Sequence, residues 1–277
     1  MKVKSYAKIN LSLKVTGVRE DGYHNLDMLM ININLYDVLK FEKSNCVKVD
    51  MDKDVCKMED NIIYKTVMYI KEKYNIKEGI CVYVKKRIPQ GGGLGGGSSN
   101  AASTIIALNK LWDLKLSEDE MISIAKKIGG DVPFFIVDSF SRVQGIGESI
   151  KEIDIPFNKK IVLVIPNIKC DTKNVYNHWR VLSNNDIDDI DLNNYDNLFN
   201  DLELATIEAY PEYELGKIKK VLISNGCKSA LMTGSGSCVF GIYDRTINMK
   251  KIKEQLSDCA VIKNKTISSC KNKYIEL

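Results

Sequence analysis

The chain has no C-x-x-C pair, no apolar run long enough to cross a membrane, no internal repeat and little net charge. Each absence removes a class of function. The eight cysteines, Cys46, Cys56, Cys81, Cys170, Cys227, Cys238, Cys259 and Cys270, lack the spacing of a zinc ribbon or a dithiol redox motif. They are expected to be free, mostly buried thiols of a reducing compartment. The longest apolar runs, Phe134–Val137 and Ile161–Ile165, fall far short of the roughly 20 residues a spanning helix needs. Lys2, Lys4 and Lys8 interrupt residues 1–15, which therefore do not read as a secretory signal, and a cytoplasmic location is expected. A net charge of +4 over 277 residues is too small to imply nucleic-acid binding. With 44% hydrophobic and 27% charged residues, the composition is that of a soluble globular protein, with room for two modest domains or one large one.

Glycine, by contrast, is concentrated in one place. Residues 89–103 read PQGGGLGGGSSNAAS, and six of them are glycine. Such density is entropically costly in a structural loop. It leaves a backbone free of side chains, able to turn successive amides toward one point. Ser98, Ser99 and Asn100 offer helix N-cap chemistry, and Ala101, Ala102, Ile105, Ile106 and Leu108 continue as a helical apolar stripe. A glycine cradle running into a helix N-terminus is a phosphate site. It is not a Walker loop, because Gly97-Ser98-Ser99 lacks the lysine. Gly91-x-Gly93-x-x-Gly96 fits the dinucleotide fingerprint, with Asp113 at the expected distance. However, residues 114–120 read as a turn, a cap at Ser117 and another helix instead of a second parallel strand.

Around the loop the chain reads as α+β. Val3, Ser5, Ala7, Ile9, Leu11, Leu13 and Val15 alternate on one face of a strand, with Lys4, Lys8, Asn10 and Ser12 opposite. Strands at 24–35, 38–42 and 46–50 predict a mostly antiparallel sheet, and Asp21-Gly22-Tyr23-His24 forms a turn. Asp60-Asn61 caps a helix reaching Tyr74, and 80–87 is the strand entering the glycines. Lys85-Lys86-Arg87 beside the loop is either a solvated strand end or phosphate-side charge. Asp131, between Gly129-Gly130 and Val132-Pro133, is either a turn aspartate bonding its own backbone or a carboxylate held for chemistry. Residues 159–166 form an apolar strand that opens a second domain. Thr172 caps a helix carrying Val175, Tyr176 and Trp179, and residues 184–197 read as a solvated acidic loop. Helices at 200–211, 214–224 and 247–256 follow, with strands at 229–232 and 238–243 and one at the C-terminus. The turn Thr233-Gly234-Ser235-Gly236-Ser237 reads on its own as a tight turn, and as a second anion contact only in company.

Ala7-Lys8-Ile9-Asn10-Leu11, the loop Pro89-x-x-x-Gly93-Leu94-Gly95-Gly96-Gly97-Ser98-Ser99-Asn100-Ala101, and Thr233-Gly234-Ser235-Gly236-Ser237 together resemble the three motifs of the GHMP kinases. Asp21-Gly22-Tyr23-His24 and Gly130-Asp131-Val132-Pro133-Phe134-Phe135 resemble the members whose acceptor is the 2-hydroxyl of a cytidine-diphosphate-linked methylerythritol, in the non-mevalonate route to isoprenoid precursors. The resemblance spans the chain. It implies a two-domain α+β fold: residues 1–156 like domain 2 of ribosomal protein S5 and binding ATP, residues 157–277 ferredoxin-like. It implies that Pro89, Gly91, Gly92, Gly93, Leu94, Gly95, Gly96, Gly97, Ser98 and Ser99 hold the ATP phosphates, with Asn61, Ile62 and Lys86 on the adenine side. Asp131 is then the general base and Lys8 its cationic partner. Asn10, Tyr23, His24, Thr172 and Tyr176 face the acceptor, with two aromatics around the pyrimidine. Mg2+ is expected with ATP, although no residue matches the carboxylate that holds it in some relatives. A small-molecule partner is implied, without nucleic acid or membrane, for a monomer or homodimer. The alternatives are a homoserine or mevalonate kinase, which would not be expected to keep Asp-Gly-Tyr-His, a nucleotide-dependent oxidoreductase resting on the glycine spacing alone, and an RNA-binding module resting on Lys85-Lys86-Arg87.

Overall fold

The structure, a computed structural model, describes all residues except 54–56, 181–184, 194, 271–273 and 276–277. Cys56 and the start of the acidic stretch at 184 therefore lie outside the described residues. The first half of the chain folds as β1 (Lys2–Val18), β2 (His24–Ser44), β3 (Val47–Met51), α1 (Ile62–Lys73), β4 (Gly79–Lys85), α2 (Gly96–Leu111), α3 (Glu118–Ile128), α4 (Val132–Val137), β5 (Ser141–Gly145) and β6 (Ser149–Glu152). The two strands expected over 24–42 are one. No turn interrupts them because the mismatch is absorbed by a bulge: Tyr6 pairs with Tyr36, but Ala7 pairs with Ile33. This shift and a second one between Asn10 and Ser12 correct the single-face alternation of β1. Val3, Leu13 and Val15 join one core cluster, whereas Ala7, Ile9 and Leu11 join the other. Both faces of β1 are buried between residues 7 and 13, so Lys8 and Asn10 are interior.

β2 is the spine of the first sheet. One edge pairs along its length with β1, and the other receives β5 at Leu26–Met30 and β4 at Val38–Ser44. The pairing is antiparallel except that β3 runs parallel to β4, with α1 as the crossover between them. Of the two helix starts after the glycine loop, that of α2 differs from expectation and that of α3 matches it. The N-cap of α2 is Gly95 at φ 67°, with no side-chain cap, and Ser98, Ser99 and Asn100 lie inside the helix. The chain enters this helix through a left-handed glycine, and that geometry moves the cap upstream of the hydroxyls. α3 begins at Ser117 with a complete capping box to Glu120.

The second half contains β7 (Lys160–Ile165), α5 (Thr172–His178), α6 (Leu202–Ala209), α7 (Leu215–Ser224), β8 (Ser229–Met232), β9 (Val239–Tyr243), α8 (Met249–Gln255) and β10 (Ala260–Ile267), followed by the short β11 (Tyr274–Ile275). Its strands lie in the order β10-β7-β9-β8, all antiparallel, which is the ferredoxin-like arrangement. Asp171, not Thr172, caps α5, because its carboxylate accepts from the Asn174 amide at 2.8 Å. The two halves are bonded into one sheet system: β10 reaches β2 at Thr266–Ile33, and β11 pairs with β1. Between the halves the face of β1 and β2 meets that of β7 and β9, burying Ile9, Leu11, Ile31, Leu163 and Phe240. Full burial of each such side chain contributes about 1.5–3 kcal/mol. The acidic stretch is docked as well as solvated, since Asp186 meets Lys14 at 2.8 Å and Asp188 meets Arg142.

Among the described residues no disulfide forms, and Cys170, Cys227, Cys238 and Cys270 are buried whereas Cys46 is exposed. No helix among them is long and apolar enough to cross a membrane.

Candidate active site

The glycine loop alternates hand. Gly91, Gly93 and Gly95 have φ of 68°, 72° and 67°, interleaved with Gly92 and Leu94 at ordinary values. Such alternation turns successive amides to one side and forms an anion-binding concavity. Other glycines are required by space. A Cβ on Gly92 would come within 2.5 Å of Cys238 Sγ, and one on Gly96 within 2.8 Å of Ile88 Cγ2. With no side-chain cap on α2, its first amides stay available to the same concavity.

β1 passes directly under this loop. The Lys8 amide donates to the Leu94 carbonyl at 3.0 Å. The Lys8 ammonium donates to Asn10 Oδ1 at 2.7 Å and lies 3.5 Å from Asp131 Oδ2. Lys8 is 4% exposed, so the outward-facing strand lysine is excluded. Asp131 occupies the N-cap position of α4 but makes no side-chain cap bond, so its carboxylate is not spent on its own backbone. It is held from behind: a Cβ on Gly130 would lie 2.6 Å from the Ile146 carbonyl, so the chain before Asp131 lies flat on the turn after β5. The second domain closes the floor. The Asn10 amide donates to Thr233 Oγ1 at 3.0 Å, and Asn200 Nδ2 holds the Met232 and Gly234 carbonyls at 2.8 and 2.9 Å. The turn at 233–237 is therefore part of the site.

A cleft of about 520 Å3 runs along these groups. Leu13, Leu26, Met28, Thr172 and Tyr176 line it on one side, and Met51, Asp60, Asn61, Ile62, Ile63 and Lys86 on another. Pro89, Gly91 to Gly97 and Ser98 line it, together with Lys8, Asn10 and Asp131. Ser99 does not: it is buried, with its hydroxyl 2.7 Å from that of Ser5. Asn61 caps α1 through Ile63 N at 2.9 Å, and Lys86 bonds Asp37 and Asn100. The Thr172 hydroxyl is 2.9 Å from that of Ser235, which ties α5 to the late turn.

Beside Tyr176 stands an aromatic group. The His24 ring lies 4.8 Å from Tyr176, and Trp179 meets it edge-on at 5.4 Å. Tyr23, expected as a partner of this group, is 65% exposed at the hairpin tip. Trp179, the residue that caps the end of α5, does not line the cleft itself but backs the His24 ring. Burial, and secondarily the charge of Asp131, pushes the Tyr176 phenol up, so it remains a neutral donor. Burial pushes the His24 imidazole below its ordinary range. Folding therefore favours neutral His24: the stabilisation is complete above the ordinary imidazole pKa and is lost as pH falls below it toward the lowered folded value. A proton NMR titration should find His24 losing its proton at a lower pH in the folded chain than in the urea-unfolded chain. A His24 that titrates no lower when folded would contradict the burial described.

The comparisons with known proteins converge. The description "GHMP kinases N terminal domain" matches residues 61–139, and "GHMP kinases C terminal" matches residues 180–261. The chain is 42% identical over 270 residues to a 4-diphosphocytidyl-2-C-methyl-D-erythritol kinase of Thermoanaerobacter pseudethanolicus, covering 93% of this chain and 92% of that protein. A crystal structure of a 4-(cytidine 5'-diphospho)-2C-methyl-D-erythritol kinase superposes with a TM-score of 0.82 at 27% identity, covering 96% and 99% of the two chains. A homoserine kinase from Cytophaga hutchinsonii superposes with a TM-score of 0.68 at 16% identity, covering 97% and 95%, and shares the fold alone.

Proposed function

The chain belongs to the 4-diphosphocytidyl-2-C-methyl-D-erythritol kinases of the GHMP superfamily, and we propose how its own residues carry that phosphoryl transfer. The observation that carries the proposal is the Lys8–Asp131 pair, held beneath the glycine loop in one cleft with Tyr176 and Asn61. The loop from Gly91 to Gly97, with the open amides of α2, holds the ATP phosphates. Asn61, Ile62 and Lys86 take the adenosine end. Tyr176 and His24, with Trp179 behind the imidazole, take the cytidine end of the acceptor.

Between them the acceptor 2-hydroxyl gives its proton to Asp131 as its oxygen bonds the γ-phosphorus and the bond to the β-phosphate oxygen breaks, releasing ADP. Lys8, 3.5 Å from Asp131 Oδ2, sets its positive charge beside the negative charge that develops in the transfer. Phosphoryl transfer is largely positioning and charge stabilisation, and these groups supply both.

Mg2+ fits this donor set in one way. Asp131 and Asp60 are the cleft's carboxylates, Ser98 adds a hydroxyl, and no cluster of three His, Cys, Asp or Glu side chains occurs among the described residues. That suits an ion arriving on the ATP phosphates and keeping water ligands, with Ser98 as its protein contact. When bound it would neutralise phosphate charge.

The direct test is ATP consumption with CDP-methylerythritol as acceptor, with and without Mg2+, against mevalonate and homoserine. Turnover with the first acceptor only is expected, and turnover with mevalonate in its place would overturn the acceptor assignment. Tyr176→Ala should raise the acceptor KM by about 10- to 100-fold, since base stacking on an aromatic is worth roughly 1–3 kcal/mol, and Tyr176→Phe should not. In steady-state kinetics the KM for ATP should stay put in both variants.

A further inference from the structure

β2 carries two buried carboxylates that the phosphoryl transfer does not use, Asp27, which pairs with Arg142, and Asp37. Asp37 is fully buried and accepts from four donors. They are the Lys86 ammonium, Asn100 Nδ2 at 3.0 Å, and the main-chain amides of Arg87 at 2.6 Å and Ile88 at 2.9 Å. Lys86, Arg87 and Ile88 are the last residues before the glycine loop. Asn100 stands in the helix that leaves it and donates again to Ser5 Oγ at 3.0 Å, while Ser5 Oγ is paired with Ser99 Oγ at 2.7 Å. One carboxylate on a rigid central strand therefore holds both flanks of a loop whose glycines give it little stiffness of its own.

The network reaches the cleft through Lys86, which lines it. An ammonium has three protons. Two are committed, to Asp37 and to Asn100 Oδ1 at 3.1 Å, which leaves one for a ligand. With its charge compensated at contact, Lys86 offers one directed hydrogen bond instead of a free cation. That chemistry suits a neutral acceptor such as a ring nitrogen or a hydroxyl more than a phosphate. A generic structural role for Asp37 would account for the two amide bonds, but not for the commitment of a cleft-lining lysine.

We propose that Asp37 is a positioning residue for the phosphoryl donor: it sets the span of the glycine cradle and holds Lys86 as a charge-compensated donor toward the nucleoside. The inference rests on the assignment of the loop to ATP.

Asp37→Asn should raise the KM for ATP by about tenfold, the effect of losing a charge-assisted hydrogen bond, and leave the acceptor KM unchanged. The preference for ATP over GTP should fall in the same variant. A carboxylate that only stabilises the fold would lower the active fraction, hence the apparent kcat, with both KM values unmoved; that result overturns the proposal. An equal rise in both KM values, meaning general distortion of the cleft, overturns it too. Should the single variant fail to fold, Lys86→Met is compared with Asp37→Asn/Lys86→Met, in which no cation is left without its carboxylate. The ATP KM should rise several-fold between those two, and equality would reject the role of Asp37. Gly93→Ala separates the two levels. If it leaves the ATP KM normal, the loop assignment fails whatever Asp37 does; if it raises the ATP KM and Asp37→Asn does not, only the present inference fails.

Discussion

Replacing Asp131 with asparagine is expected to lower kcat by about 10²- to 10⁴-fold, the range a positioned general base supplies. ATP affinity should be retained. The side chain keeps its shape, and its position owes nothing to a cap bond that the substitution would break. The backbone is held by the close approach of Gly130 to Ile146 and by Pro133 in the first turn of α4, neither of which the change touches. Lys8 keeps Asn10 as a partner at 2.7 Å, so its ammonium is not abandoned in the interior. Only the proton acceptor and one negative charge disappear. Steady-state kinetics beside calorimetric titration of ATP will separate these effects. Near-normal turnover would end the general-base assignment, while loss of ATP binding would show that Asp131 serves the donor instead of the acceptor.

Gly93→Ala should be nearly as damaging by a different route. Gly93 is left-handed at φ 72°, and a Cβ there would be driven into the Thr233 carbonyl oxygen. Neither side can give easily. Thr233 is pinned through its hydroxyl to the Asn10 amide at 3.0 Å and through its own amide to the Cys238 carbonyl at 3.0 Å. The loop must therefore rise from the floor of the cleft, and a displacement near 1 Å costs about 10²-fold in a positioned reaction. The loss should fall on kcat/KM for ATP, with the acceptor KM spared. Gly216→Ala is the control, because that glycine lies in α7 at an ordinary φ with nothing within 4 Å of a Cβ. Its kinetics should be unchanged and its thermal stability equal or slightly higher. Equal damage from both alanines would mean that the loop geometry is not the cause.

Much of this site was legible before any coordinates. Glycine density, and the recurrence of lysine, aspartate and hydroxyl motifs far apart in the chain, carry chemistry that local patterns express directly. The strand and helix flanking the loop were equally plain, because β4 and the body of α2 follow simple periodicity. What escaped were properties of tertiary contact. The alternation of β1 could not reveal that a second sheet covers its other face, nor that register shifts at Tyr6/Ala7 and Asn10/Ser12 bound the segment whose residues change core cluster. Cap positions at Gly95 and Asp171 depended on loop entry angles, which no residue type states. Trp179 read as helix packing because only the fold brings it to His24. Asp37 had no motif around it; its importance lies in four donors, three of which are some 50 residues downstream.

The free edge of β2 between the contacts of β5 and β4 is filled by Thr266 and Ile267, which pair with Ile33 and Asn32. This has a temporal consequence during synthesis. Roughly 230 residues separate the two partners, and at about 5–20 residues per second the ribosome needs some 10–50 s to deliver the second after the first. For that interval the nascent N-terminal sheet carries an unfilled gap at its centre, the kind of open edge to which other strands add. The N-terminal sheet is thus completed only when β10 arrives, and a chain truncated before Thr266 should be prone to aggregation.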